Sequence, residues 1–231
     1  MKMMVKVFAC AVCTCLLGLT LLACGQSDRP PSEGSGSSSV DPFIYTSEAE
    51  GEYATGIHHA IVQVKGYPAF TIELDANAAP VTVANFCDLA NRGYYDGLTF
   101  YRIEKDLIMQ GGTLGNNPKG KDETLTPIIG EFQVNSVDNP LADAFKRGYV
   151  AMLRSDNLNS ATSTFFITLG EPDQVAIRLS GKYAAFGIID EQDMQTVDQI
   201  AADHIQYVDG DMESITDESH MPIIESIKIT D

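Results

Sequence analysis

The sequence is short of the features that usually announce an enzyme. Its four histidines, His58, His59, His204 and His220, form no HExxH pair, so no metal site is expected and no cofactor is called for. No G-x-S-x-G nucleophile elbow occurs, and Gly111-Gly112 is not followed by the GK[ST] of a phosphate-binding loop. Acidic pairs such as Glu48/Glu50 and Asp190/Glu191 read as solvated surface charge, which leaves a two-carboxylate hydrolase unsupported. Positive charge is scarce. The chain has 15 Lys and Arg against 32 Asp and Glu, a formal charge of -17, and this argues against nucleic acid as a partner. No repeat at fixed spacing is present, which argues against solenoids and propellers.

A long hydrophobic run is also missing. The longest, from Val7 to Leu22, is shorter than the ~20 residues that cross a bilayer and is interrupted by Cys10, Cys13, Thr14 and Cys15. With Lys2 and Lys6 before it and Leu21-Leu22-Ala23-Cys24 after it, the segment reads as an export signal over residues 1–23. The arrangement resembles bacterial lipoprotein signals, in which cleavage exposes the cysteine for lipid attachment. Cys24 is then the lipidated first residue of the mature protein, anchored to a membrane of the cell envelope outside the cytoplasm. Removing 1–23 discards Cys10, Cys13 and Cys15 and leaves Cys87 without a disulfide partner, so Cys87 reads as a small core residue. The same cleavage removes Lys2 and Lys6 and no acid, taking the charge from -17 to -19.

Residues 24–52 are rich in Gly, Ser and Pro around Gly34–Ser39, a composition with too little apolar surface for a core. They read as a flexible tether, and about 20 residues of such a coil reach on the order of 25 Å. The folded domain is expected over 53–231, as a monomer. Ala60–Val64 and Ala69–Leu74 form a candidate hairpin, and Pro80 opens a helical pattern of Val83, Phe86, Cys87 and Ala90 that Gly93 closes. Short strands are expected at 99–103, 107–110, 148–153, 164–168 and 184–189. A second helix carries Met194, Val197, Ile200 and Ala201, and Ile223, Ile224, Ile227 and Ile229 form a last strand.

The most specific signal is the stretch from Ala79 to Gly112, APVTVANFCDLANRGYYDGLTFYRIEKDLIMQGG. It resembles the early part of the cyclophilin family of peptidyl-prolyl cis/trans isomerases. Two later blocks, Arg147–Met152 with Asn159–Ile167 and Leu179–Gly187, resemble that family's active-site strands and later loop. The resemblance covers about residues 53–230. It implies a mostly β fold, a closed eight-stranded antiparallel barrel capped by two α-helices.

It also implies a function, isomerisation of X-Pro bonds in exported proteins, and a set of site residues. Arg102 matches the family's catalytic arginine. Gln110 matches the glutamine that bonds substrate backbone and helps hold that arginine. Phe166 matches the floor of the proline pocket, Leu179 and Tyr183 its rim, and Tyr101, Leu107, Ile108, Leu153 and Thr164 fall at further substrate-facing positions. Several of these depart from the family pattern: Tyr101 stands for a usual His, Leu107 for Phe, Thr164 for Gln, Leu153-Arg154 for Ala-Asn, and Arg178 for Trp or His. The departures keep alive a second reading, a binding or chaperone module that docks proline-containing segments without efficient turnover.

Overall fold

Alternation and a tight turn start the fold. The computed structural model describes residues 44–116, 122–210 and 213–231; the signal segment, Cys24 and most of the tether lie outside the described residues. In β1 (Ile57–Val64) Ala60, Val62 and Val64 turn inward, and in β2 (Phe70–Asp75) Phe70, Ile72 and Leu74 do, as a period of two requires. The two pair antiparallel from Ile57–Asp75 to Val62–Phe70.

Helix α1 (Pro80–Asn91) follows, with Pro80 in its first turn. Ala79 supplies no side-chain cap; instead buried Glu131 reaches across, accepting from Val81 N at 3.0 Å, Thr82 N at 2.8 Å and Thr82 Oγ1 at 2.6 Å. A carboxylate there meets the unpaired amides and the positive end of the helix. Gly93, at φ 67°, ends the turn as expected.

Next come β3 (Phe100–Glu104), β4 (Ile108–Gly111), the single turn α2 (Pro140–Asp143), β5 (Tyr149–Met152) and β6 (Phe165–Thr168). Helix α3 (Pro172–Leu179), β7 (Ala185–Ile188), α4 (Met194–His204), a small hairpin of β8 (Val208–Asp209) and β9 (Ser214–Ile215), and β10 (Ile224–Ile229) complete the chain. Asn139 caps α2 through Leu141 N and Ala142 N.

The strands form one sheet in the order β10-β1-β2-β7-β5-β6-β4-β3-β9-β8. The expected closed eight-stranded barrel is therefore replaced by an unclosed ladder of ten strands. The reason is local: β3 gives its free edge to β9, pairing Arg102 with Ser214. It meets the strand at the other end only around its start, through the isolated bridge Thr99–Ile223 and backbone hydrogen bonds of Gly97, Leu98 and Phe100 with residues 222–224. The two-helix expectation also falls short, because α3 is a third helix of eight residues. Residues assigned to the end of the tether take part in the fold, since Thr46 bridges Ile128 and donates to Pro127 O at 2.8 Å.

Two apolar clusters result. The larger holds Phe86, whose ring lies 5.1–5.6 Å from those of Tyr95, Phe165 and Phe186, and it takes in Cys87, a fully buried free thiol whose pKa burial pushes up to about 12. The smaller gathers Leu107, Ile108, Phe132, Phe145, Phe166, Val175 and Leu179. Among the described residues no helix is long and apolar enough to cross a membrane.

Candidate active site

Strand β3 sets the site through one irregularity. Its pairing with β4 joins Phe100 to Gly111 and then Arg102 to Gln110, so Tyr101 is an extra residue held in a bulge. The backbones are close enough there that a Cβ on Gly111 would lie 2.2 Å from Thr99 O, which makes glycine the residue that fits. Beyond the bulge Ile103 turns into the core while Arg102 and Glu104 share the other face.

Arg102 keeps 21% of its side chain exposed and donates from Nη2 to Glu104 Oε2 at 2.7 Å and to Glu213. Glu213 precedes β9 and holds φ 52°, a strained conformation for a residue with a Cβ. Gln110, buried, donates from Nε2 to the Tyr101 hydroxyl at 2.9 Å. This corrects one expectation: the hydrogen bond of Gln110 goes to Tyr101, and Arg102 is held by carboxylates.

Tyr101 and Thr164 are also displaced from the role expected of them. Both are buried, and burial raises the Tyr101 pKa against the lowering effect of hydrogen bonds with Gln110 and Thr164. They back the site rather than line it, because the bulge turns Tyr101 inward.

The open part is a cleft of about 430 Å³ lined by Arg102, Gln110, Leu153, Arg154, Ser155, Asp156 and Tyr183. Four of the sequence-predicted residues thus come together at its walls: Arg102, Gln110, Leu153 and Tyr183. Leu107, Ile108, Phe166 and Leu179 lie in the smaller apolar cluster, against which Leu153 and Tyr183 pack. The Tyr183 ring stands edge-on to Phe166, centroids 5.4 Å apart, so the apolar floor is roofed by the rim residue. Arg154 places its guanidinium 5.0 Å from the Tyr183 ring and 5.3 Å from that of Phe132, a cation–π arrangement, and its Nε donates to Lys182 O at 2.9 Å.

Sequence reasoning missed Glu104, Glu213 and the stacking of Arg154. Glu104 left a signal, since two residues along a strand share a face. Glu213 left none, because its place depends on a hairpin 111 residues away in sequence. Arg178, in the last turn of α3, donates to the second oxygen of Glu104. Among the described residues no group of three or more His, Cys, Asp or Glu is arranged to hold a metal ion.

The chain is similar to a peptidyl-prolyl cis-trans isomerase of Acinetobacter baylyi, 37% identical over 131 residues, which is 56% of this chain and 65% of that protein. It is 38% identical over 120 residues to the peptidyl-prolyl cis-trans isomerase-like 1 protein of Neurospora crassa, covering 51% of this chain and 66% of that one. The matched region thus spans just under two thirds of the length of these relatives.

In fold the chain is similar to the crystal structure of a cyclophilin type peptidyl-prolyl cis-trans isomerase from Cryptosporidium parvum, with a TM-score of 0.60 and 23% identity over 76% of this chain and 99% of that one. The same protein solved in the presence of the dipeptide Ala-Pro gives a TM-score of 0.57 over 75% of this chain. The sequence model described as "Cyclophilin type peptidyl-prolyl cis-trans isomerase/CLD" matches residues 59–229, and the chain belongs to this family.

Proposed function

We propose that the protein is a peptidyl-prolyl cis/trans isomerase acting on X-Pro bonds of exported polypeptides, with Arg102 as its transition-state donor. The observation that carries the reading is the Arg102 guanidinium on the wall of a cleft beside Gln110, next to an apolar cluster that contains Phe166. Rotation about X-Pro faces a barrier of about 18–20 kcal/mol because it breaks amide resonance. In the perpendicular amide the proline nitrogen regains its lone pair and accepts a hydrogen bond that the planar forms cannot accept. A fixed cationic donor therefore binds the twisted amide more tightly than either ground state, which is what lowers the barrier. No proton leaves the substrate, so the chemistry calls for neither a general base nor a cofactor.

In this reading Gln110 bonds substrate backbone, Leu153 and Tyr183 border the proline, and Phe166, Leu107, Ile108 and Leu179 form the apolar bed. The family relationship and the Ala-Pro dipeptide present with a solved neighbour support proline-containing segments as the ligand class. The edge-on Tyr183 ring over Phe166 favours the second reading, a docking module with slow turnover, because proline would have to displace or lean on that ring. Line-shape analysis of a panel of short X-Pro peptides with the full chain separates the two. Acceleration of exchange is the expected result; binding without acceleration on any peptide would leave the docking module.

The export role rests on the first 24 residues. A basic start, a short apolar run and Leu21-Leu22-Ala23-Cys24 in order support cleavage before Cys24 and lipid attachment to it, which puts the enzyme on the outer side of a membrane. Fractionation of cells expressing Cys24→Ala checks this: the variant should leave the membrane fraction. A variant that is cut at the same site and stays membrane-bound would contradict lipidation.

A further inference from the structure

We infer that Glu104 is the residue that positions Arg102, acting as the centre of an Arg102–Glu104–Arg178 triad; the inference rests on the reading of Arg102 as the donor. Arg102 and Glu104 lie two apart on β3 and share a face. Glu104 is only 12% exposed, and each of its oxygens takes one guanidinium, Oε2 from Arg102 at 2.7 Å and Oε1 from Arg178. A carboxylate with both oxygens engaged in a sheltered position has little freedom to swing. The guanidinium is a rigid plane, so anchoring Nη2 fixes the whole fork. The described hydrogen bonds of Arg102 all leave from Nη2, which leaves Nε and Nη1 for the twisted amide.

The second arginine occupies the other oxygen of Glu104, so the carboxylate is tied from both sides. Glu213 also accepts from Arg102, but its side chain is 47% exposed against 12% for Glu104, so it holds the guanidinium from a more mobile, solvent-screened position. Gln110 is neutral and directs its amide nitrogen to the Tyr101 hydroxyl, so the charged anchoring of Arg102 falls to the carboxylates.

The test is a double-mutant cycle on kcat and KM with the full chain. Glu104→Gln keeps the shape and removes the charge, and it should lower kcat/KM about tenfold, chiefly through kcat, with KM within about twofold of wild type. Made in an Arg102→Ala background, the same change should cost nothing further, because a positioning residue has nothing left to position. Multiplying losses would mean that Glu104 acts independently of Arg102 and would overturn the inference, as would a Glu104→Gln variant with wild-type kcat. If Arg102→Ala itself keeps the wild-type rate, the donor reading fails and this one with it. Should Glu104→Gln fold poorly, Arg178→Met replaces it, with about a threefold loss expected that again disappears without Arg102.

Discussion

Arg102→Ala should lower kcat/KM for X-Pro exchange about thirty- to a thousandfold, the equivalent of losing a charged hydrogen bond of roughly 2–4 kcal/mol that is made only in the transition state. The loss should fall on kcat, because the planar substrate offers no lone pair to the guanidinium and KM carries little of its contribution. Stability should change little. Arg102 is partly exposed and its carboxylate partners do not collapse with it: Glu104 retains Arg178, and Glu213 is half-exposed at the surface. Uncatalysed exchange takes tens to hundreds of seconds, so even a thousandfold loss is measurable against the background. Circular dichroism would certify the fold of the variant. A folded Arg102→Ala protein that exchanges X-Pro peptides as fast as wild type would remove the proposed mechanism.

The part of this site that could be read in the sequence is the part set by local pattern. Pro80 and Gly93 bracket α1 because their backbone preferences act within one turn. The β1–β2 hairpin was legible from inward Val62, Val64, Phe70 and Ile72, and the order of motifs from Ala79 to Gly112 identified the arginine. What stayed hidden depends on long-range pairing. Whether Tyr101 faces the cleft or the core turns on a bulge of one residue, and shifting a strand by one flips its side chains. The partner of Gln110 follows from that bulge. The unclosed ten-strand order depends on β9, two residues long, taking the edge of β3. A strand of that length carries no periodicity to detect. Arg178 could be placed by its position in the motif, but its attachment to Glu104 depends on where the extra helix α3 ends.

The chain is strongly acidic, yet the cleft carries two arginines, Arg102 and Arg154, against Asp156. The surrounding negative field should therefore disfavour acidic peptides on approach while the donor itself remains cationic. Local charge at the site is thus set by pairing geometry rather than by the composition of the chain. Glu104 is the group that joins the two arginines there, pairing with both Arg102 and Arg178.

That cluster responds to the second large change, Phe166→Ala, in the opposite way to Arg102→Ala. Phe166 is 1% exposed on β6, its ring stacked on Phe145 at 6.3 Å and 21°, with Tyr183 edge-on at 5.4 Å. Across the ladder it faces Ala151 on β5 and Gln110 on β4, both fixed by sheet pairing and unable to move into the space. Truncation there leaves a cavity that the surroundings cannot fill, and large-to-small changes at such positions cost about 3–5 kcal/mol. For a domain of this size that is a fall in Tm of about 6–20 °C. Binding should weaken as well, because Tyr183 loses the ring it stands on and Arg154, stacked on Tyr183, loses its support. KM should rise while the donor stays in place, so kcat should fall far less than in Arg102→Ala. Thermal denaturation and peptide titration on the same sample decide the matter. A Phe166→Ala protein with unchanged Tm would mean that the position is not core, and one with unchanged peptide affinity and a lowered kcat would mean that the apolar bed is not where proline binds.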